Sequence, residues 1–163
     1  MPAVRMGKAL LVATVGLWAL FVGYGNLADY TSNWNFVVHV LAMDTVFPDN
    51  ALKSRAITDP TFARLAYWGI IATEFAIAGA CLYGAWRLFR ARHERAAFVA
   101  AKVPACAGLL LVWILYYVGF TTVGGEWFSM WQSPTWNGQE TAFRFLVCAM
   151  LVMIVVLLPE EAP

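Results

Sequence analysis

The 163 residues are 61% hydrophobic and only 13% charged, with a formal net charge of +1 and a mean hydropathy of +0.65. Soluble domains carry about 25% charged residues, so this chain lacks the polar surface to stay in water and has the composition of a membrane-embedded protein. The near-neutral balance gives no global basis for nucleic-acid binding, and no basic stripe occurs outside one short connection.

Four apolar segments are long enough to cross a bilayer, which takes about 20 residues. They cover approximately 7–26, 63–89, 98–118 (with usable length to 123) and 141–158. Lipid leaves no backbone group unpaired, so each should be an α-helix. The expected fold is an all-α membrane protein, a single transmembrane domain over 1–163 with four spans. Arg5 and Lys8 ahead of an apolar run resemble a signal peptide, but the run is longer than a signal core and no small-residue cleavage site follows. It reads as a retained first span.

Residues 27–62 form the first long connection. Its centre, Trp34 to Met43, has apolar residues at helical spacing but is too short to span, and reads as an amphipathic or re-entrant segment. Pro48 ends it, and "TDPTFARL" opens the second span with Thr58 or Asp59 as N-cap and Pro60 in the first turn. The second span carries Ala72, Ala76, Ala80 and Gly84 at intervals of four, a small-residue stripe suited to close helix contact. A hairpin at 90–97 follows. In the third span, Pro104 should kink the helix and Lys102 can snorkel back to the nearer surface. "TTVGG" marks where this span should loosen. The connection 119–140 holds Trp127, Trp131 and Trp136 among turn signals at Ser-Pro and Asn-Gly, and Glu126 to Trp131 could form one helical turn. "LLPEEAP" after the fourth span reads as a helix stop and a solvated tail. Each half is span, outer aromatic segment, span, and "VGYGNL" is similar to "VGFTTV", a few residues that suggest an internal duplication.

Basic residues in short flanks set orientation. Arg5, Lys8, Arg87, Arg90, Arg92, Arg95 and Lys102 gather on one side, while six of the acids lie on the other. Both termini and the 90–97 hairpin should therefore be cytoplasmic, with the two long connections outside and folded together as a partly helical cap. Asp44, Glu140 and Arg144 could tie the two outer segments to each other.

Glu74 is the unusual residue, an ionisable group deep in the second span that must be paired, protonated or near water. It is either a proton, cation or ligand site, or a carboxyl that locks helix packing. Arg144 and the hydroxyls of Tyr116 and Tyr117 are its candidate partners. At about 100° per residue, Glu74 lies about 160° from Ala72 around the axis, so Glu74 and the small-residue stripe should face different neighbours, one of them a second protein. Trp34, His39, Asp44, Trp127, Trp131 and Trp136 are either belt residues of a folded cap or a surface for a partner.

The three cysteines each sit in an apolar run without a CxxC pair, which fits buried small hydrophobes and not a disulfide framework. The two histidines, His39 and His93, fall on opposite sides, which excludes a bis-histidine haem within this chain. "HVLAMD" spaces His39 and Met43 for a soft copper site, on a lone pair. No phosphate loop, HExxH or GxSxG motif occurs, and no spacing suggests a nucleophile with its base. No catalytic residue, metal or cofactor is expected, beyond contact with lipid or quinone.

"NWNFVVHVLAMDTVFPD", "ATEFAIAGACLYGAWRL" and "MWQSPTWNGQETAFRF" resemble a bacterial family of predicted small integral membrane proteins with a domain of unknown function (2165). The resemblance covers nearly the whole chain. It implies a four-helix protein of the bacterial inner membrane and implies no activity, so no functional residue is carried over. The leading expectation is a non-catalytic accessory or assembly subunit of a larger bacterial membrane complex, a respiratory or other energy-converting one, with other integral membrane subunits and lipids as partners. The alternative is a binder or transporter of an amphiphile, quinone or cation that uses Glu74 and the outer aromatic cap. A one-chain metal or haem protein is the third and weakest.

Overall fold

Helix α1 (Pro2–Ala28) and helix α3 (Pro60–Arg90) form the central antiparallel pair of the computed structural model, which describes residues 2–160. Their contact follows a seven-residue repeat. In α1, Arg5, Val12, Ala19 and Asn26 are buried on one line, and in α3, Tyr67, Glu74, Cys81 and Leu88 are buried on the matching line. Such spacing keeps one seam of each helix against its neighbour. In α1 the middle of the line is apolar, and its two ends, Arg5 and Asn26, are polar.

Helix α2 (Tyr30–Ala42) follows α1 after a break at Asp29 and lies against the outer end of α3. The short expected segment is thus a real helix. Val37, Leu41 and Met43 pack with Ala63, Tyr67, Ile71 and Phe128 in a second, smaller core. Met43 ends α2 in the left-handed conformation, φ 50°. Asp59 caps α3, its Oδ1 accepting from the Thr61 amide at 2.7 Å, with Pro60 beginning the helix.

Helix α4 (Arg95–Trp113) starts on Glu94, whose carboxylate accepts from the amides of Ala96 and Ala97. It runs through Pro104 and packs on α3. A β-carbon on Gly84 would lie 2.5 Å from Ala105 Cα, and one on Gly108 would lie 2.6 Å from Cys81 Sγ. The two glycines therefore let the backbones of α3 and α4 approach directly. The third span does not loosen at "TTVGG". It continues as a π-helix over Ile114–Trp127, in which Phe128 N–H donates to Val123 O at 3.0 Å. Wider turns keep every peptide group paired where lipid offers no substitute partner. A 3₁₀ turn at Met130–Gln132 leads to helix α5 (Gln139–Leu157). Four helices, counting Arg95–Trp127 as one, are long and apolar enough to cross a membrane, as the four-span reading requires. Among the described residues there is no strand.

The segment after α5 overturns the solvated-tail reading. Glu160 is buried and accepts from Lys8 Nζ at 2.7 Å, Lys102 Nζ at 2.8 Å and Arg5 Nε at 3.2 Å. Lys8 and Lys102 also donate to the Leu158 carbonyl, and Arg5 donates to the Arg92 carbonyl. Lys102 therefore turns inward and does not snorkel, because a carboxylate and an unpaired helix-end carbonyl wait for it there. Burial alone would raise the Glu160 pKa, but hydrogen bonds from Lys102, Lys8 and Arg5 outweigh it and hold the carboxyl down at about 2. This cluster closes one end of the bundle, and the α2 cap closes the other.

Candidate functional site

Glu74 stands near the midpoint of α3 and is 2% exposed. Its partner is Asn26, whose Nδ2 donates to Glu74 Oε2 at 2.6 Å. Tyr67, two turns before Glu74 on the same face, donates its hydroxyl to the Asn26 carbonyl at 3.0 Å. That carbonyl belongs to the last turn of α1, which has no intrahelical acceptor role left. The last turn of α1 is thus held to α3 through both its backbone and its side chain, which fixes where the carboxyl points.

It points into a cavity of about 400 Å³ between the bundle and the cap. Glu74, Asn26, Tyr67 and Tyr116 line its inner part, and Phe36, Phe120, Trp136 and Phe145 wall it. Ser32, Asn33, Thr135, Asn137 and Thr141 also line it. Glu74 Oε1 and the Tyr116 hydroxyl have no hydrogen-bond partner among the described residues. No fully enclosed polar side-chain atom among those residues lacks one, so both groups are open to the cavity. No basic side chain lines it. A carboxyl with one oxygen committed and one free, among aromatic rings, can hold a hydrogen-bond donor or a cation. A larger trough of about 650 Å³ along α5 is lined mainly by apolar side chains such as Trp113, Phe143 and Leu151, with Thr121, Gln139 and Glu140 at one end, and reads as lipid-facing surface.

The expected partners of Glu74 need correction. Arg144 does not reach it; it pairs with Glu140 one turn earlier on the exposed face of α5. Tyr117 faces outward and stacks on Trp113 at 4.4 Å. Only Tyr116 is brought to the Glu74 cavity. Successive side chains point in different directions around the π-helix, so the two neighbouring tyrosines do not both face inward. Asn26, the actual partner, carries no opposite charge to point to it, although its place on the α1 seam of buried residues at seven-residue intervals marks it.

The small-residue stripe is not one face either. Gly84 is buried against α4 and Ala80 is half-buried there, while Ala72 and Ala76 are exposed. Stepping strictly by four drifts about 40° per turn around a helix, which carries the stripe out of the interface. The exposed small residues are instead Gly69, Ala72, Ala76 and Gly79.

The two outer segments do touch. Trp136 stacks on His39 at 4.7 Å and meets Phe36 edge-on at 6.4 Å. Trp131 meets Phe47 edge-on, and Arg55 lies over Trp127 at 4.2 Å while donating to its carbonyl. Thr45 and Ser133 share a hydrogen bond of 2.7 Å, and the Gln132 side-chain oxygen accepts from Phe47 N and Asn50 Nδ2. Trp34 packs beside Tyr30 and Tyr67. Asp44, Glu140 and Arg144 do not tie the segments: Asp44 pairs with His39 at 2.6 Å within its own segment. Trp127 and Trp131 do not share a helical turn, since the π-helix ends between them. His39 turns to Asp44 and Trp136, whereas Met43 is buried in the second core. Among the described residues no group of three or more His, Cys, Asp or Glu side chains is gathered.

Residues 4–159 match a family described as predicted small integral membrane protein (DUF2165). No curated protein and no solved structure matches the chain.

Proposed function

The chain belongs to this family of predicted small integral membrane proteins, and from the cavity at Glu74 we propose that it binds a small amphipathic molecule that enters from the cap side. The observation that carries the reading is a carboxyl 2% exposed, hydrogen-bonded through one oxygen only and turned toward a cavity of ligand size. A carboxyl that served packing alone has no use for a free oxygen open to a ligand-sized cavity. The site has a donor-accepting centre, aromatic walls and a polar rim, which suit binding or transport.

We place the protein in a bacterial inner membrane as a multi-pass protein. The Arg5, Lys8 and Lys102 end faces the cytoplasm, since basic flanks stay inside, and the cap faces out. Substituting Glu74→Gln tests the reading. It keeps the shape and the Asn26 contact in a folded protein, and binding or uptake should fall. A Glu74→Gln protein that binds and transports like the wild type would sink it.

An accessory-subunit role is the second reading. It is favoured by the exposed line of Gly69, Ala72, Ala76 and Gly79 on α3, since small residues facing lipid forgo contact that a neighbouring helix would supply. Affinity purification in mild detergent followed by mass spectrometry discriminates. Stoichiometric recovery of another membrane subunit supports the second reading, and recovery of this chain alone removes it.

A further inference from the structure

We propose that the Glu74 cavity selects an organic cation, a protonated amine or quaternary ammonium on an apolar body, an inference that rests on reading the cavity as a ligand site. The carboxyl is the one charged side chain among the residues that line the cavity. Asn26 is neutral and donates to Oε2 only, so the charge of an ionised Glu74 finds no counter-ion among the described residues that line the cavity. An unpaired buried charge is costly, and a bound cation removes that cost.

The walls decide which kind of cation. Phe36, Phe120, Trp136, Phe145 and Tyr116 bring aromatic rings to the same space. Ring faces attract cations that shed water easily, as quaternary ammonium groups do. A hard metal ion favours several oxygen ligands with carboxylates among them, and Glu74 is the one carboxylate among the residues that line the cavity. An anion meets a carboxylate and no basic side chain. A quinone offers only acceptors; the Tyr116 hydroxyl can donate to it, but it brings no counter-charge to an ionised Glu74. The volume, about 400 Å³, suits a molecule of one ring and a small head group.

The test is isothermal titration calorimetry on the purified full chain in a non-ionic detergent. The probes are benzyltrimethylammonium, the neutral 2,3-dimethoxy-5-methyl-1,4-benzoquinone, and benzenesulfonate. Benzyltrimethylammonium should bind saturably at one site per chain. Glu74→Gln should weaken it by about tenfold or more, since the loss of one desolvated charge contact exceeds 1.4 kcal/mol. Trp136→Leu should weaken it by about threefold or more through the lost ring face. Both variants are checked for wild-type elution and thermal unfolding, and Glu74→Asp should retain part of the affinity. Glu74-dependent binding of the quinone without the ammonium overturns the cation assignment and leaves the ligand-site reading intact. Ammonium binding that is equal in Glu74→Gln also overturns the cation assignment. Failure of every probe to bind the wild type removes both.

Discussion

Replacing Glu160 with Gln should destabilise the bundle from the end remote from the cap. The carboxylate receives hydrogen bonds from three buried cations, Arg5, Lys8 and Lys102. Removing one partner of a buried ion pair costs about 3–5 kcal/mol, because the remaining charge stays buried. Two features lower that figure here. Gln keeps an acceptor oxygen, and each cation retains a backbone carbonyl, Leu158 for the two lysines and Arg92 for the arginine. A loss of about 2–3 kcal/mol remains. For a chain of this size about 1 kcal/mol shifts Tm by roughly 2–4 °C, so Tm should drop by roughly 5–10 °C. The assay is thermal unfolding in detergent at pH 7, followed by tryptophan fluorescence. The pH dependence gives an independent check. The folded pKa of Glu160 is about 2, below its ordinary value of 4.5, so its contribution is complete above pH 4.5 and is lost as the pH falls from there toward 2. Wild type should therefore lose its advantage over Glu160→Gln in that window. A Glu160→Gln protein within about 1 °C of wild type at pH 7, or an advantage that persists unchanged at pH 2, would refute the buried-cluster argument.

Further outcomes follow from the same packing. Gly84→Ala should lower Tm, because its β-carbon would sit 2.5 Å from Ala105 Cα, whereas Gly79→Ala has nothing within 4 Å of its β-carbon and should raise stability by about 0.5–1 kcal/mol. Paired thermal unfolding curves give the two signs. Asn26→Leu leaves Glu74 without its only side-chain donor and should cost about 1–3 kcal/mol, with Asn26→Gln recovering less than half, as read in the same unfolding assay. Ser133→Ala removes the partner of Thr45 and of the Trp136 amide; limited proteolysis should then cut the segment between the π-helix and α5 faster, while the spans stay protected.

The spans were legible because bilayer thickness and backbone satisfaction leave helices as the only answer for long apolar runs. Asp59 and Pro60 marked the start of α3 by local chemistry alone. The interhelical partners were not legible to the same degree. A search for opposite charge sent Glu74 to Arg144, yet its partner is the neutral Asn26, and a neutral donor carries no signature apart from the seven-residue spacing of α1. Glu160 reads as solvated because acids that follow a proline beyond a helix end are solvated in most chains. Its burial depends on Arg5, Lys8 and Lys102 meeting it from two other helices, a coincidence in space that no local window contains. The π-helix escaped notice for a related reason, since "TTVGG" weakens an ordinary helix without naming its replacement.

The charge cluster also has a history in time. Arg5 and Lys8 precede Glu160 by 155 and 152 residues. During synthesis they enter the membrane boundary long before their counter-charge exists, so water and lipid phosphates must hold them while the later helices are made. They can anchor α1 with its basic end at the surface during that interval, and then exchange those temporary contacts for Glu160 once α5 has crossed. One set of side chains can thus meet water and lipid before Glu160 exists and fasten the end of the last helix once it does.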